Sequence, residues 1–290
     1  MEPKPRLLAF DIMRIVAILM VLDQHLTAKC LMIVIPGYDY ISIGKLGVII
    51  FVFISGAVLY FSKNEFHNLR DVLNFYYKRI VRLYPAMYLS YILAILLRPE
   101  IIYQQTVTSM IIQLTGTLIY FPEILGPNWG TLLNPMSYFI GFIMVYYIVY
   151  PLIVTLIKKS PYITMFVSIM ISMISTLYFN ENINSSMPAP YLMFFVFGIY
   201  ISHLGLYIKK INNDKNIVFL SDLSFYVFLV NSIMLSTGAA NALVFLYTLI
   251  PLYAYILMRV DILFNREIDK TLSSLFIWFE INVFNKCTEH

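Results

Sequence analysis

Four basic side chains are spaced so that they could act together. In the stretch DIMRIVAILMVLDQH, residues 11–25, Arg14 and His25 lie eleven positions apart, which is three helical turns and roughly 16 Å along a helix axis. With Asp11 as origin and about 100° per residue, Arg14 falls at about −60° and His25 at about −40°. Asp23, at about +120°, faces elsewhere. Asp11, Arg14 and His25 therefore share one narrow face of an otherwise apolar helix. Ionisable groups in such a helix face a bundle interior or a wet cavity, so a pair aligned at two depths points to a polar passage. The stretch YYKRIVRLYPAMYL, residues 76–89, adds Arg79 and Arg82 at i and i+3, on one face. A guanidinium fork suits phosphate, so two of them at a membrane entrance suit a phosphorylated ligand. Pro85 follows, and is expected to kink this helix or open its first turn. Plainer roles compete: an i,i+3 ion pair for Asp11 and Arg14, an interfacial position for His25, and positive-inside anchoring for Arg79 and Arg82.

The elements that must position these groups are membrane helices. The chain has 290 residues, 60% hydrophobic and 12% charged, with a mean hydropathy of +0.78. Soluble domains carry about twice that share of charge. Stretches long enough to span are 7–27, 43–62, 75–97, 136–157, 162–179, 189–208, 217–236 and 239–259. The stretch 105–121, interrupted by Gln113, Thr115, Gly116 and Thr117, is weaker. It is expected to be re-entrant or interfacial, unless it pairs with a second crossing nearby. Basic residues cluster before the first stretch, around the start of the third, and after 136–157, 189–208 and 239–259. By the positive-inside rule these clusters are cytoplasmic. The fold class is thus all-α, a polytopic bundle of about 8–10 spans with both termini cytoplasmic. Residues 1–260 form the transmembrane domain, and 261–290 a cytoplasmic tail with a run that could lie along the inner surface as an amphipathic helix.

Composition also sets exclusions. The net charge of +4 is explained by topology and does not argue for a nucleic-acid partner. Cys30 and Cys287 fall on opposite sides of this topology, so no disulfide joins them, and no metal-ligand spacing exists. Charges interrupt the first apolar segment and no small-residue cleavage site follows, so it does not read as a signal peptide. The 23 Tyr and 22 Phe are assigned mainly to interfacial belts and helix packing. Loop 98–135, which contains FPEILGPNWG, is the longest outer loop and is either functional or a spacer.

The motifs together resemble the acyltransferase 3 family of membrane acyltransferases. Asp11, Arg14, Ala17 and His25 follow its D-x-x-R-x-x-A…H pattern, and Arg14 and His25 its R-x10-H motif. Arg79, Arg82 and Pro85 follow its R-x-x-R-x-x-P pattern. GVIIFVFISGAVLY looks like a further element of the family through Gly47, Val48, Phe51, Ser55 and Gly56. The resemblance runs through nearly all of the chain and is strongest over residues 7–90. It departs further on. Tyr138 stands where a Trp is usual, a Glu borne by some relatives near Ile143 or Met144 is absent, and Asn231 replaces a His. Asn keeps hydrogen bonding but cannot shuttle a proton.

The resemblance implies an O-acyltransferase, by family habit an O-acetyltransferase, in the plasma membrane. It would move an acyl group from cytoplasmic acyl-CoA to a hydroxyl of an extracytoplasmic glycan or lipid-linked sugar. Arg79 and Arg82 would hold the donor phosphates. His25, Arg14 and Asp11 would be the catalytic residues: Arg14 would assist, either with ligand charge or by ordering Asp11 and the inner cavity, and His25 would act as general base or form an acyl intermediate. Ser55 and Asn231 could line the site. The donor is a substrate, and no permanently bound cofactor is expected. The other expected partner is membrane lipid, and a homo-oligomer is left open. Competing classes are a transporter that uses the same polar face without chemistry, and a catalytically degenerate scaffold.

Overall fold

The computed structural model describes residues 6–26, 32–35, 38–117, 132–178, 187–207, 210–212, 214–236 and 249–265. These are overwhelmingly helical. The first helix, α1, runs Leu8–Leu26. Strands β1, Met32–Ile35, and β2, Tyr38–Ser42, form an antiparallel hairpin. The helices α2, Ile43–Ser62, and α3, Leu69–Leu97, follow. A 3-10 turn, Pro99–Gln104, leads to the short α4, Val107–Thr115. The remainder comprises α5, Tyr138–Lys159; α6, Pro161–Tyr178; α7, Leu192–His203; α8, Lys215–Ser236; and α9, residues 249–265.

Local chemistry sets the boundaries. The Ser42 hydroxyl caps α2 by accepting from the Lys45 amide, and the Asn68 carbonyl caps α3 by accepting from Asp71. Thr106 caps the start of α4, and Gly116, at φ 71°, ends it in the left-handed region that favours glycine. Lys158 and Lys159 occupy the last turn of α5, where cations complement the helix dipole.

A helical bundle is what the apolar pattern anticipates, and the observed helices follow its stretches closely. By length and composition, Ile43–Ser62, Leu69–Leu97 and Pro135–Lys159 can each cross a membrane. At nine residues, α4 is about 13.5 Å long and too short to span, as expected of a re-entrant or interfacial element. Three expectations need adjusting. The all-α reading omits the hairpin over 32–42, which brackets a Pro36–Gly37 pair. α3 stays helical straight through Pro85, so no turn opens there. α9 continues to residue 265, beyond the expected end of the last stretch at 259. Cys30, Cys287, all of FPEILGPNWG and nearly all of the tail lie outside the described residues.

Five tyrosines have a specific role. In an apolar bundle every backbone polar group needs a partner. Tyr84, Tyr88 and Tyr91 of α3 donate to the carbonyls of Thr115, Leu114 and Gln113 at the end of α4. Those are carbonyls a helix terminus leaves open. Tyr146 and Tyr150 donate to the carbonyls of Pro188 and Lys63, at 2.5 and 2.6 Å. The Tyr146 ring also stacks on Phe195 at 4.7 Å. Tyr91, Tyr146 and Tyr150 also fill the core, and the three α3 hydroxyls hold α4 against α3.

The crossing of α2 and α7 depends on two glycines. A Cβ at Gly56 would strike the Phe195 carbonyl, and one at Gly198 the Phe53 carbonyl. Small residues permit this close approach of two apolar helices. Alanine has the higher helix propensity by about 1 kcal/mol, yet Gly56→Ala and Gly198→Ala should each destabilise by about 1–3 kcal/mol through overpacking. Thermal unfolding of the detergent-purified protein would read this. A raised midpoint would show that the crossing is not tight.

Candidate functional site

The site is organised around Asp11, which is 1% exposed. Arg6 donates to both of its carboxylate oxygens, at 2.7 and 3.3 Å. Arg14 donates to Oδ1 at 3.1 Å, Asn212 to Oδ2 at 2.7 Å, and the Ser221 hydroxyl to Oδ1 at 2.7 Å. Arg6 also grips Asp222 through two 2.8 Å hydrogen bonds. Burial alone would lower the Arg6 pKa, but its hydrogen bonds to Asp11 and Asp222 outweigh that and hold it above the ordinary value. The backbone reinforces this joint: the Leu8 amide donates to the Lys210 carbonyl, and the Asn212 amide to the Arg6 carbonyl. Together these contacts fasten the start of α1 to α8 and to the segment preceding it.

Beside this joint lies a cavity of about 1150 Å³, at the upper end of the range for small-molecule sites. Arg14 from α1, Ser55 from α2, Arg79 and Arg82 from α3, and Lys215 from α8 all border it. Arg79 lies against a pair of aromatic rings, 5.2 Å from the Phe75 centroid and 5.7 Å from that of Tyr147. Its Nε has no hydrogen-bond partner. Arg82 makes no ion pair among the described residues, and its side chain is exposed. Two guanidiniums fixed on one helix face, neither neutralised by a carboxylate, form an anion-binding surface.

A second cavity of about 160 Å³ lies further along α1, bordered by Val21, Gln24, Ser42, Lys45 and Tyr138. The Ser42 hydroxyl donates to Gln24 Oε1 at 2.8 Å. Phe228 of α8 borders both cavities. Its ring packs 6.2 Å from Phe51 and 5.0 Å from Phe139, two residues of the larger cavity wall. An aromatic partition thus stands where the cavities meet.

Of the residues singled out in the sequence, Arg14, Ser55, Arg79 and Arg82 converge on one cavity. Asp11 stands behind Arg14 and does not border it. Asn231 borders neither cavity. It is fully buried, and neither its Oδ1 nor its Nδ2 is hydrogen-bonded. The backbone of His25 belongs to α1, and its side chain lies outside what is described. Sequence reasoning missed Arg6, five residues before Asp11 and assigned to topology alone, and Asn212 and Ser221, for which no spacing signal exists because both reach Asp11 through the fold. It also assigned Lys215 and Arg259 to topology alone, although both border the cavity.

The family model described as an acyltransferase domain matches residues 7–279. No curated protein and no solved structure matches the chain.

Removing one partner from a buried ion pair costs about 3–5 kcal/mol. Asp11→Asn should therefore destabilise the protein by about 3 kcal/mol, the lower end because Arg6 is 32% exposed. The thermal midpoint of the purified variant checks this, and an unchanged midpoint would mean that the joint contributes nothing.

Proposed function

The chain belongs to the acyltransferase 3 family, and from that premise we propose that it is a multi-pass O-acyltransferase of the plasma membrane. It would transfer an acyl group, acetyl in the simplest case, from cytoplasmic acyl-CoA to a hydroxyl of an extracytoplasmic glycan or lipid-linked sugar. The observation that carries this reading is the convergence of Arg14, Arg79 and Arg82 on one large cavity. A nucleotide-bearing thioester needs both that volume and that charge.

In this reading the end of the bundle that carries Arg6, Lys158 and Lys210 faces the cytoplasm. Arg79 and Arg82 hold the donor phosphates, and the pantetheine arm runs along α1 towards the smaller cavity. The aromatic partition of Phe51, Phe139 and Phe228 must yield to that thin arm. When it is closed, its packed rings oppose free passage of a polar solute, which favours transfer over transport. His25, about 16 Å beyond Arg14 along α1, takes the proton from the acceptor hydroxyl. The oxygen attacks the thioester carbonyl, the C–S bond breaks, and the leaving thiolate is protonated. An unperturbed imidazole pKa of ~6.5 suits this exchange.

Two variants test the reading. In membranes of a strain lacking the native gene, His25→Ala should lower glycan acylation by about 10²–10⁴-fold at normal protein levels. Undiminished acylation would remove His25 from the mechanism. Arg79→Ala combined with Arg82→Ala should weaken acetyl-CoA binding by about tenfold or more. Unchanged affinity would refute the phosphate clamp.

A further inference from the structure

The two walls of the large cavity differ in chemistry. The α3 wall offers Arg79 and Arg82, with no carboxylate beside them. The wall built by α8 and α9 carries Asp222, already paired with Arg6, the buried Asp261, and the cations Lys215 and Arg259. It also carries an aromatic pair. Phe219 of α8 and Tyr255 of α9 meet edge-on at 6.0 Å. Each is 40% exposed although both border the cavity, so their faces are not consumed by packing. The Arg259 guanidinium lies 5.8 Å from the Tyr255 centroid. Further along this wall, Tyr226 of α8 donates to Asp261 Oδ2 of α9 at 2.7 Å. Open aromatic faces interleaved with a cation form a stacking platform for a nucleobase.

We infer that the Phe219–Tyr255–Arg259 surface is a base subsite that stacks the adenine ring of the donor. The inference rests on the acyl-CoA reading and assigns the nucleotide end of the donor to this wall. The phosphates then point across the cavity to Arg79 and Arg82, and the acyl arm away along α1.

The test is equilibrium binding to the purified full chain, with acetyl-CoA and with acetyl-4′-phosphopantetheine, which lacks the nucleotide. Wild type should bind acetyl-CoA at least tenfold more tightly. Tyr255→Leu should weaken acetyl-CoA about tenfold and change acetyl-4′-phosphopantetheine less than twofold, while Tyr255→Phe keeps the ring and the affinity. Loss of both ligands in equal proportion, or of neither, would overturn the subsite. A measurement on wild type alone guards against a misfolded variant. Adenosine 3′,5′-bisphosphate should displace acetyl-CoA at least tenfold better than the base-free ribose bisphosphate, and equal competition would overturn the subsite. If wild type bound neither acetyl compound, the donor reading would fall and the subsite with it. Normal acetyl-CoA binding with no effect at Tyr255 would remove the subsite alone.

Discussion

A carboxylate buried to 1% exposure can stay ionised only if surrounding donors replace the water it has lost, and Asp11 has four side chains doing so. Those donors come from the segment before α1, from α1 itself, from the segment before α8 and from α8. Satisfying one charge therefore fixes how two helices far apart in sequence lie together. The consequences reach the cavity directly. Arg14 is held by Asp11 on one side and borders the cavity on the other. Asp222, gripped by Arg6, is held as part of the α8 wall. The resemblance gives Asp11 a catalytic label. The structure gives it the position of an organiser, one layer behind the cavity.

The cavity's arginines divide by what neutralises them. Arg14 shares a carboxylate, whereas Arg79 lies against Phe75 and Tyr147 and has no carboxylate partner among the described residues. Aromatic faces stabilise a cation without consuming its hydrogen-bond donors. That arrangement keeps the guanidinium available for an incoming anion. It also explains why the aromatic residues near the base of α3 and α5 belong to the site as well as to the core. Elsewhere the same residue types serve the fold, since the tyrosines of α3 close the open carbonyls of α4.

Helical periodicity made part of this legible. The shared face of Asp11, Arg14 and His25, and the pair Arg79 and Arg82, follow from a fixed angle per residue, and three of these five side chains border one cavity. The apolar stretches located the helices to within a few residues at most ends. What stayed hidden depends on contacts between distant segments. Nothing local marks Asn212 or Ser221 as ligands of Asp11. Lys215 and Arg259 were hidden differently, because topology already explained them. The hairpin over 32–42 did carry a signal in the sequence, a Pro36–Gly37 dipeptide between two short apolar and aromatic runs.

The central claim is that an acyl group crosses the bundle while its carrier stays on the arginine-lined side. Proteoliposomes test it most directly, with acetyl-CoA labelled in the acetyl group on the side bearing Arg79 and Arg82, and envelope glycan on the other. Label should accumulate on the glycan while coenzyme A is released only on the donor side. Glycan that stays unlabelled until donor and acceptor share one side, or intact acetyl-CoA recovered beside the glycan, would contradict the account.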